Sequence, residues 1–550
     1  MSSEAVVLDG YVDEPACLGV PPYIAPQVRA MAGVLSSHGY RVAYHTIDQL
    51  RSDPSLLLSL DRADLVAMVA GVTVPGKYLA GTPATLGEVE LVGSTLRHPK
   101  TFLGGPILFG YAPHGGERAL RREIAGFSVL LDGSPAEALD SCLSGGEPMG
   151  VGDYRRQAEW LVTGAPVIRH HPSFPHLMCE LETATGCSRG ITGGCSFCTE
   201  PFYGPPRFRM PDEVAAEVAA LSAQGARHFR LGRQPDLLTY GVSGGEFPRP
   251  DPEKIADLFR GIRRAAPDLL TLHIDNVNPG TIARHEGASR EALRAIVAGH
   301  TAGDVAAFGM ETADPAVVAA NNLKASPEQV MQALRVVNEE GGMRHEGIPE
   351  LLPGLNFVIG LAEETEETFR LNGEFLSRVL SEGLLVRRVN IRRLMAFPGT
   401  RAYRENTLGK HDGLFRRWKE QVRREFDHPM VARVFPLGTI LRRVIIEVTG
   451  KTSFGRQMGS YPVLVGIPLS VPVREVIDAV VVDWGMRSIT ALPYPIAVNT
   501  LPLPALAWLP GIGKKRAASI AAARPFGDLR AFQAVAGETP LGDALSFRRA

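Results

Sequence analysis

Three of the chain's six cysteines fall within twelve residues, in the run Gly186-Cys187-Ser188-Arg189-Gly190-Ile191-Thr192-Gly193-Gly194-Cys195-Ser196-Phe197-Cys198. The spacing is C-x7-C-x2-C. Three thiolates on one loop can bind three irons of a [4Fe-4S] cubane and leave the fourth iron open to a small-molecule ligand. The four glycines let the backbone wrap tightly and leave amides free to approach the sulfurs. A structural zinc site asks for four ligands, and no fourth Cys or His follows at the usual spacing. Three buried free thiols form the other alternative, for which so many turn-forming glycines are out of place. Cys187, Cys195 and Cys198 are therefore the candidate metal ligands. Cys17, Cys142 and Cys179 are scattered and read as core or surface thiols, with a second cluster as the alternative.

The elements around this loop alternate strand and helix. Over residues 1–165, strands are expected at Ala5–Leu8, Arg41–Tyr44, Leu65–Val72, Thr101–Leu103 and Val129–Leu131, with helices at Gln27–Ser37 and Gly87–Leu96. This alternation predicts a doubly wound parallel sheet. A proline-rich stretch, 165–175, reads as a separator. Over 175–410 the strand–helix unit repeats about six times: Leu177–Glu182 leads into the cysteines, followed by strands His228–Gly232, Leu269–Ile274, Ala306–Met310, Leu355–Gly360 and Arg388–Leu394. Such a series predicts an open, partial (β/α)6 barrel with its chemistry at the carboxyl ends of the strands. Residues 411–504 hold an amphipathic basic helix, with Phe415, Trp418, Val422 and Phe426 on one face, and then a small β unit over 453–500. Residues 505–550 are helical around the sharp turn Leu509-Pro510-Gly511-Ile512-Gly513.

The cysteine loop and the segments after it resemble the radical S-adenosylmethionine (SAM) superfamily over roughly residues 175–400. The resemblance assigns Phe197 to the aromatic position before the last cysteine. It likens Phe308-Gly309-Met310-Glu311-Thr312 to the fourth-strand segment ending in a SAM-contacting polar residue. Asn356 to Thr365, with Val358 and Gly360, resembles the fifth-strand segment packed on adenine, and Asn390 to Thr400 the sixth strand and its exit. Gln234 stands at the second-strand position where the methionine amine is held, without the usual Gly-Gly-Glu. The first cysteine gap is longer than the common C-x3-C. The resemblance implies an enzyme with a [4Fe-4S] cluster and SAM. It would cleave SAM reductively to a 5′-deoxyadenosyl radical, using electrons from an external donor. Glu311 could otherwise be a solvent-facing strand end. Glu363, Glu364, Glu366 and Glu367 read mainly as carboxylates at a helix N-terminus, favoured by its dipole.

Two flanking regions carry further likenesses. Pro21-Pro22-Tyr23, His38 to Val42 and Gly104-Gly105-Pro106 resemble cobalamin-binding domains. No Asp-x-His-x-x-Gly occurs in the chain, so the expectation is a cobalamin-binding-like domain without cobalamin. The segment Leu509 to Ala517 resembles a helix-hairpin-helix, in which Gly511 and Gly513 let amides face a phosphate and Lys514, Lys515 and Arg516 add charge. The whole architecture resembles radical-SAM proteins ending in a helix-hairpin-helix, and more distantly tRNA methylthiotransferases, whose three N-terminal cluster cysteines are not matched.

Charge and composition bound the remaining possibilities. Formal net charge is −1, yet residues 386–444 hold 15 Lys/Arg against 5 Asp/Glu, and residues 505–550 hold 7 against 3. These basic segments point to an anionic partner such as RNA or DNA, or else to solvated helix faces paired with acidic neighbours. No apolar run approaches the ~20 residues of a membrane span, and no secretory signal is visible, so a cytoplasmic protein with no membrane partner is expected. The leading expectation is a radical-SAM enzyme acting on a nucleic acid, perhaps tRNA. The alternatives are action on a small metabolite or peptide, and a noncatalytic nucleic-acid-binding protein with a structural cluster.

Overall fold

In a computed structural model of the chain, residues 3–12, 22–71, 81–150 and 153–548 are described; Cys17, Pro21 and Val72 lie outside them. The first sheet is built from β1 (Glu4–Asp9), β2 (Arg41–Thr46), β3 (Leu65–Val69), β4 (Lys100–Gly104) and β5 (Val129–Gly133), with the short segment Met149–Gly150 at its edge. Its order is β2-β1-β3-β4-β5 and all pairings are parallel. This is a doubly wound order, as the alternation predicts, and it places loops such as Gly104-Gly105-Pro106 at the carboxyl edge. The central strand β3 is apolar throughout and buried along its whole length, as a strand covered on both faces must be.

Six parallel strands follow: β6 (Met178–Glu182), β7 (His228–Gly232), β8 (Thr271–Ile274), β9 (Asp304–Glu311), β10 (Leu351–Ile359) and β11 (Arg388–Arg393). β6-β7-β8 form one sheet and β9-β10-β11 another. A parallel bridge between Asn276 and Ala307 joins the two. The result is the partial (β/α)6 barrel expected from the sequence. Five further strands, β12 (Ile440–Val448), β13 (Ser453–Arg456), β14 (Leu464–Ile467), β15 (Val476–Trp484) and β16 (Ser488–Pro493), close into a small barrel. This unit starts earlier than the expected residue 453. In β12 the adjacent pair Arg442-Arg443 interrupts the buried apolar positions Leu441, Val444 and Ile446, so its charge masks its strand character. The basic helix runs Asp412–Val422 and continues through a π turn, Arg423–Asp427, into a helix at His428–Val434. Trp418, Val422 and Phe426 are buried together, as their shared face requires.

Residues 165–175 stand between the first sheet and the large barrel as a packed segment. Ala165–His170 is a 3-10 helix whose Ala165, Val167 and Ile168 are buried in the core shared by the first sheet, the large barrel and the small barrel. Tyr23–Ile24 pairs in parallel with β6. Arg29, on the helix Pro26–Ser37, reaches Glu217 at 2.6 Å, and Arg209 reaches the same carboxylate at 2.6 Å, all three fully buried. Removing one partner of such a triad strands a buried charge, at a cost of about 3–5 kcal/mol. Proline content signals a chain that does not continue a helix; it says nothing of whether the segment is packed.

At the other end, the helices Leu503–Leu506, Lys514–Ala523 and Leu529–Ala536 share a core with β15 and β16 through Leu506, Ile512, Ile520, Phe532, Val480 and Leu492. The C-terminal helices are thus packed on the small barrel. Among the described residues no helix is long and apolar enough to cross a membrane.

Candidate active site

The cysteine loop leaves the carboxyl end of β6. Gly186 has φ +81°, and a Cβ there would lie 2.4 Å from the Pro205 carbonyl oxygen. Only glycine allows the chain to turn so closely under its own return strand. A 3-10 turn at Ser188–Thr192 and left-handed Gly193 and Gly194 then bring Cys195 and Cys198 back toward Cys187. Arg189, 3% exposed, organises this loop. It pairs with Glu246 at 2.9 Å, donates to Cys195 Sγ at 3.1 Å and donates to the Asn322 carbonyl at 2.8 Å. The Glu200 amide donates to Cys198 Sγ at 3.4 Å, while the Glu200 carboxylate accepts the Gly186 amide at 2.8 Å.

The loop is clamped from far along the chain. Asn322 donates to the carbonyls of Thr192 (3.1 Å) and Gly194 (2.9 Å), and Ser196 Oγ donates to Asn321 Oδ1 at 2.7 Å. Two residues later comes Lys324. Burial works against its ammonium, but the charges of Cys195 and Glu311 outweigh that and hold its pKa above the ordinary value.

One cavity of about 580 Å³ is lined by Cys187, Cys195, Cys198, Lys324, Gln234 and Glu311 together. The loops at the carboxyl edge of the first sheet, at Gly105-Pro106 and Gly133-Ser134, form its opposite wall. Glu311 ends β9 with φ +65° at a register shift, a conformation that costs a non-glycine residue of order 1–3 kcal/mol. Burial pushes its carboxyl up to about 7, with Lys324 and Arg392 pulling the other way. Arg233 (φ +54°), which lines the same cavity, and Asn322 (φ +48°), which clamps the cysteine loop, are left-handed too. Gln234 is buried; its Nε2 donates to the Leu231 carbonyl at 3.2 Å, and its Oε1 has no partner among the described residues. Neither carboxylate oxygen of Glu180, on β6, has one either, although the residue is 2% exposed.

Phe197, Val358 and Gly360 are placed elsewhere. Phe197 and Val358 belong with Cys195, Leu361, Leu394 and Ala402 to a separate apolar cluster beside the loop. Gly360 has φ +106° and donates its amide to Glu364 Oε2 at 2.8 Å. The reading of Glu364 as a helix-terminal carboxylate is corrected: the helix starts at Glu366, and Glu364 is 4% exposed. Burial pushes its pKa up to about 7. Of the other thiols, Cys179 is fully buried in β6 and Cys142 lies on the helix Pro135–Leu143.

The hairpin residues lie at the far end of the chain. Gly511 has φ +79°, and Gly513 starts the helix Lys514–Ala523 with no side-chain cap on its first amides. Lys514 and Lys515 are exposed. Arg516, expected to add charge outward, turns back and donates to the Gly511 carbonyl at 2.8 Å.

Lys324, Glu180, Arg233, Arg189 and Asn322 escape a reading of the sequence. Each is a single ordinary residue whose relation to the cysteines exists only in three dimensions. Among the described residues no three His, Cys, Asp or Glu side chains gather as the ligands of one ion do. The three thiols instead border a common cavity. Sulfurs that already accept N–H bonds, glycines at the turns and orphaned acceptors opposite a lysine fit an iron–sulfur cluster with a zwitterionic ligand. Burial without iron pushes the Cys198 thiol up to about 12, so metal binding must displace its proton.

Comparison with known proteins points the same way. The model of the radical SAM superfamily matches residues 181–375. The chain therefore carries a radical SAM domain over these residues. Radical SAM proteins use a [4Fe-4S] cluster and SAM, in keeping with the cysteine loop. A protein of uncharacterised function from Archaeoglobus fulgidus is 42% identical across 98% of each chain. The tRNA-2-methylthio-N(6)-dimethylallyladenosine synthase of Sorangium cellulosum is 27% identical over 36% of this chain and 38% of its own. Among solved structures, the radical SAM methyltransferase TsrM from Kitasatospora setae, with tryptophan substrate and a SAM analogue bound, has a TM-score of 0.51. It is 15% identical, with 73% of this chain and 75% of TsrM covered. The likeness is one of fold: an α/β unit set against a radical SAM barrel.

Proposed function

We propose that this radical SAM protein is an enzyme that binds its cluster through Cys187, Cys195 and Cys198, and that modifies a group inserted between the first sheet and the large barrel. The observation that carries this reading is the shared cavity, in which the three thiols, the orphaned acceptors and Lys324 face one space of about 580 Å³. When bound, the cluster would supply the electron that breaks SAM's sulfonium bond and so yields a 5′-deoxyadenosyl radical. Gln234 Oε1 and the Glu180 carboxylate are acceptors suited to an ammonium, and the Lys324 ammonium is suited to a carboxylate. Glu311, held by its strained backbone, offers an acceptor to ribose hydroxyls. Phe197, Val358 and Gly360 lie outside this cavity and are not given a SAM contact. The loops of the first sheet close the space over these groups, and shutting out water protects a reactive intermediate. The N-terminal unit shapes the entrance without cobalamin.

We place the substrate among nucleic acids, with tRNA first. Support comes from Lys514, Lys515 and the uncapped amides at Gly513, the phosphate-facing arrangement of a helix-hairpin-helix. Supplying the anaerobically reconstituted enzyme with SAM, a low-potential reductant and cellular RNA should give 5′-deoxyadenosine and a modified nucleoside. Deleting residues 505–550 should weaken RNA binding at low salt; unchanged affinity would remove the hairpin from this reading. A small metabolite or peptide is the second reading. It is favoured by the cavity, whose volume is that of a small-molecule site. Turnover with metabolite extract and none with RNA would select it.

A further inference from the structure

Beside the cavity, the cysteine loop has a second neighbour. Cys195 and Phe197 pack against Leu394, Ala396 and Ala402 in the separate apolar cluster. The Ala402 amide donates to the Ser196 carbonyl at 2.9 Å, so the 3-10 turn Arg401–Tyr403 is bonded directly to the residue after Cys195. Residues 116–119 of the N-terminal unit run along the same stretch. The Gly116 amide donates to the Leu394 carbonyl at 2.8 Å, the Ala119 amide to that of Ala396 at 2.8 Å, and Arg118 Nε to that of Tyr403 at 2.9 Å.

The outer face of this cover is exposed and basic. Residues 117–123 and 401–410 carry Arg118, Arg121, Arg122, Arg401, Arg404 and Lys410, all exposed, against Glu117, Glu123 and Glu405. Among the described residues none of the six cations has a carboxylate partner. Leu120, between the arginines of the first segment, is 47% exposed. Unpaired cations around an exposed apolar side chain suit the face of an acidic protein. None of these residues lines the cavity, so the surface is separate from the space assigned to SAM and substrate.

We infer that this surface receives the electron donor, a small acidic redox protein, which reduces the cluster across the wall where Cys195 and Phe197 meet Ala402. The inference rests on the cysteine loop holding that cluster. One electron moves: the donor loses it, the cluster gains it, and no proton or group is transferred. A nucleic acid would match the charge as well, yet nothing in its binding calls for a surface backed by a cluster ligand.

The test is calorimetric titration of the anaerobic holoprotein with two probes, an acidic flavodoxin and an acidic ferredoxin. At least one should bind saturably at low salt and more weakly as salt rises. Arg121→Glu/Arg404→Glu, at two exposed positions, should weaken that binding by at least about tenfold, and Leu120→Asp should weaken it too. Formation of 5′-deoxyadenosine driven by the reduced probe should slow in both variants. Formation driven by dithionite, a small reductant that requires no docking surface, should stay at the wild-type rate. Absence of binding by both probes, or equal affinity in wild type and variants, overturns the docking surface alone. A wild type that binds tRNA and neither probe, with tRNA binding lost in the variants, gives the surface to a nucleic acid and overturns the inference. A wild type that holds no iron, or is inactive with dithionite, overturns the reading of the loop and this inference with it.

Discussion

The cysteine cavity and the segment that the small barrel inserts along β8 are built on opposite terms. Around the cysteine loop, Arg233, Glu311 and Asn322 have left-handed backbone, and Gln234 and Glu180 hold buried acceptors that no described residue satisfies. By contrast, the loop segment Met458–Tyr461 of the small barrel reaches in along β8 and is tied to it by four hydrogen bonds. The Met458 carbonyl accepts from Thr271 Oγ1 at 3.3 Å, the Ser460 amide donates to His273 Nδ1 at 2.8 Å, and Ser460 Oγ donates to the Ile274 carbonyl at 3.0 Å. The Tyr461 hydroxyl donates to Asp275 at 2.8 Å. Tyr461 is left-handed as well, with φ +54°, so strain does not separate the two; hydrogen bonding does, since bonded groups contribute stability and unmet acceptors keep their capacity for ligands. The cavity's place matches the general rule that barrel chemistry sits at the carboxyl face.

The contrast can be broken or sharpened by mutation. The largest effect is expected from Cys195→Ala. Bound iron in anaerobically prepared protein should fall from about four per chain to near zero. Formation of 5′-deoxyadenosine should disappear, while far-UV circular dichroism stays close to that of wild-type protein. A variant that keeps its iron would overthrow the assignment of the loop.

Next in size is the response of Glu364 to pH. Its folded pKa, about 7, lies above the ordinary carboxylate value, so the native state holds the proton more tightly than the unfolded chain. This contribution is complete at low pH and is lost as pH rises through the window from 4.5 to about 7. Glu364→Gln should therefore gain about 2 kcal/mol over wild type at pH 8, and less at about pH 5.5, in denaturant melts. A constant difference at both pH values would contradict the buried, protonated carboxyl.

Tyr461→Phe probes the inserted segment. Loss of one buried hydrogen bond should cost about 1–2 kcal/mol, read as a lower melting temperature, with SAM affinity unchanged. If SAM binding fell while stability held, the Tyr461–Asp275 bond would belong to the site, whose cavity Asp275 lines. The smallest effect belongs to Arg189→Gln. Removing a cation and its N–H bond to the Cys195 sulfur disfavours the reduced, more negative cluster, so the midpoint potential should drop by tens of millivolts in an EPR-monitored titration.

The sequence reveals what is local and loses what is distant. The cysteine spacing, its glycines and the strand before it lie within one short stretch, and strand His228–Gly232 is legible to the residue. The π turn at Arg423–Asp427 leaves the apolar face of its helix intact, so that periodicity stays readable too. Lys324 and Asn322 reach the cysteine loop across more than a hundred residues, and nothing in Asn321-Asn322-Leu323-Lys324 announces it. Glu180 looks like a polar position on an ordinary strand until its missing partners are seen. Glu364 sits among four glutamates, and only packing separates the buried one from its exposed neighbours. Phe197, Val358 and Gly360 are assigned by resemblance alone, and the fold sets them beside Cys195 but away from the cavity that Gln234 and Glu311 share.

The pairing of Tyr23–Ile24 with Met178 and Cys179 has a bearing on how the protein is made and cut. The outer edge of β6 is closed by a segment synthesised some 150 residues earlier, and contacts of such long range close slowly. Until they form, β6 presents bare amides and carbonyls to any passing strand. A fragment trimmed to the catalytic barrel would keep that edge open permanently, so it should aggregate on expression. Supplying residues 3–170 in trans, as a separate polypeptide, is the natural way to rescue its solubility.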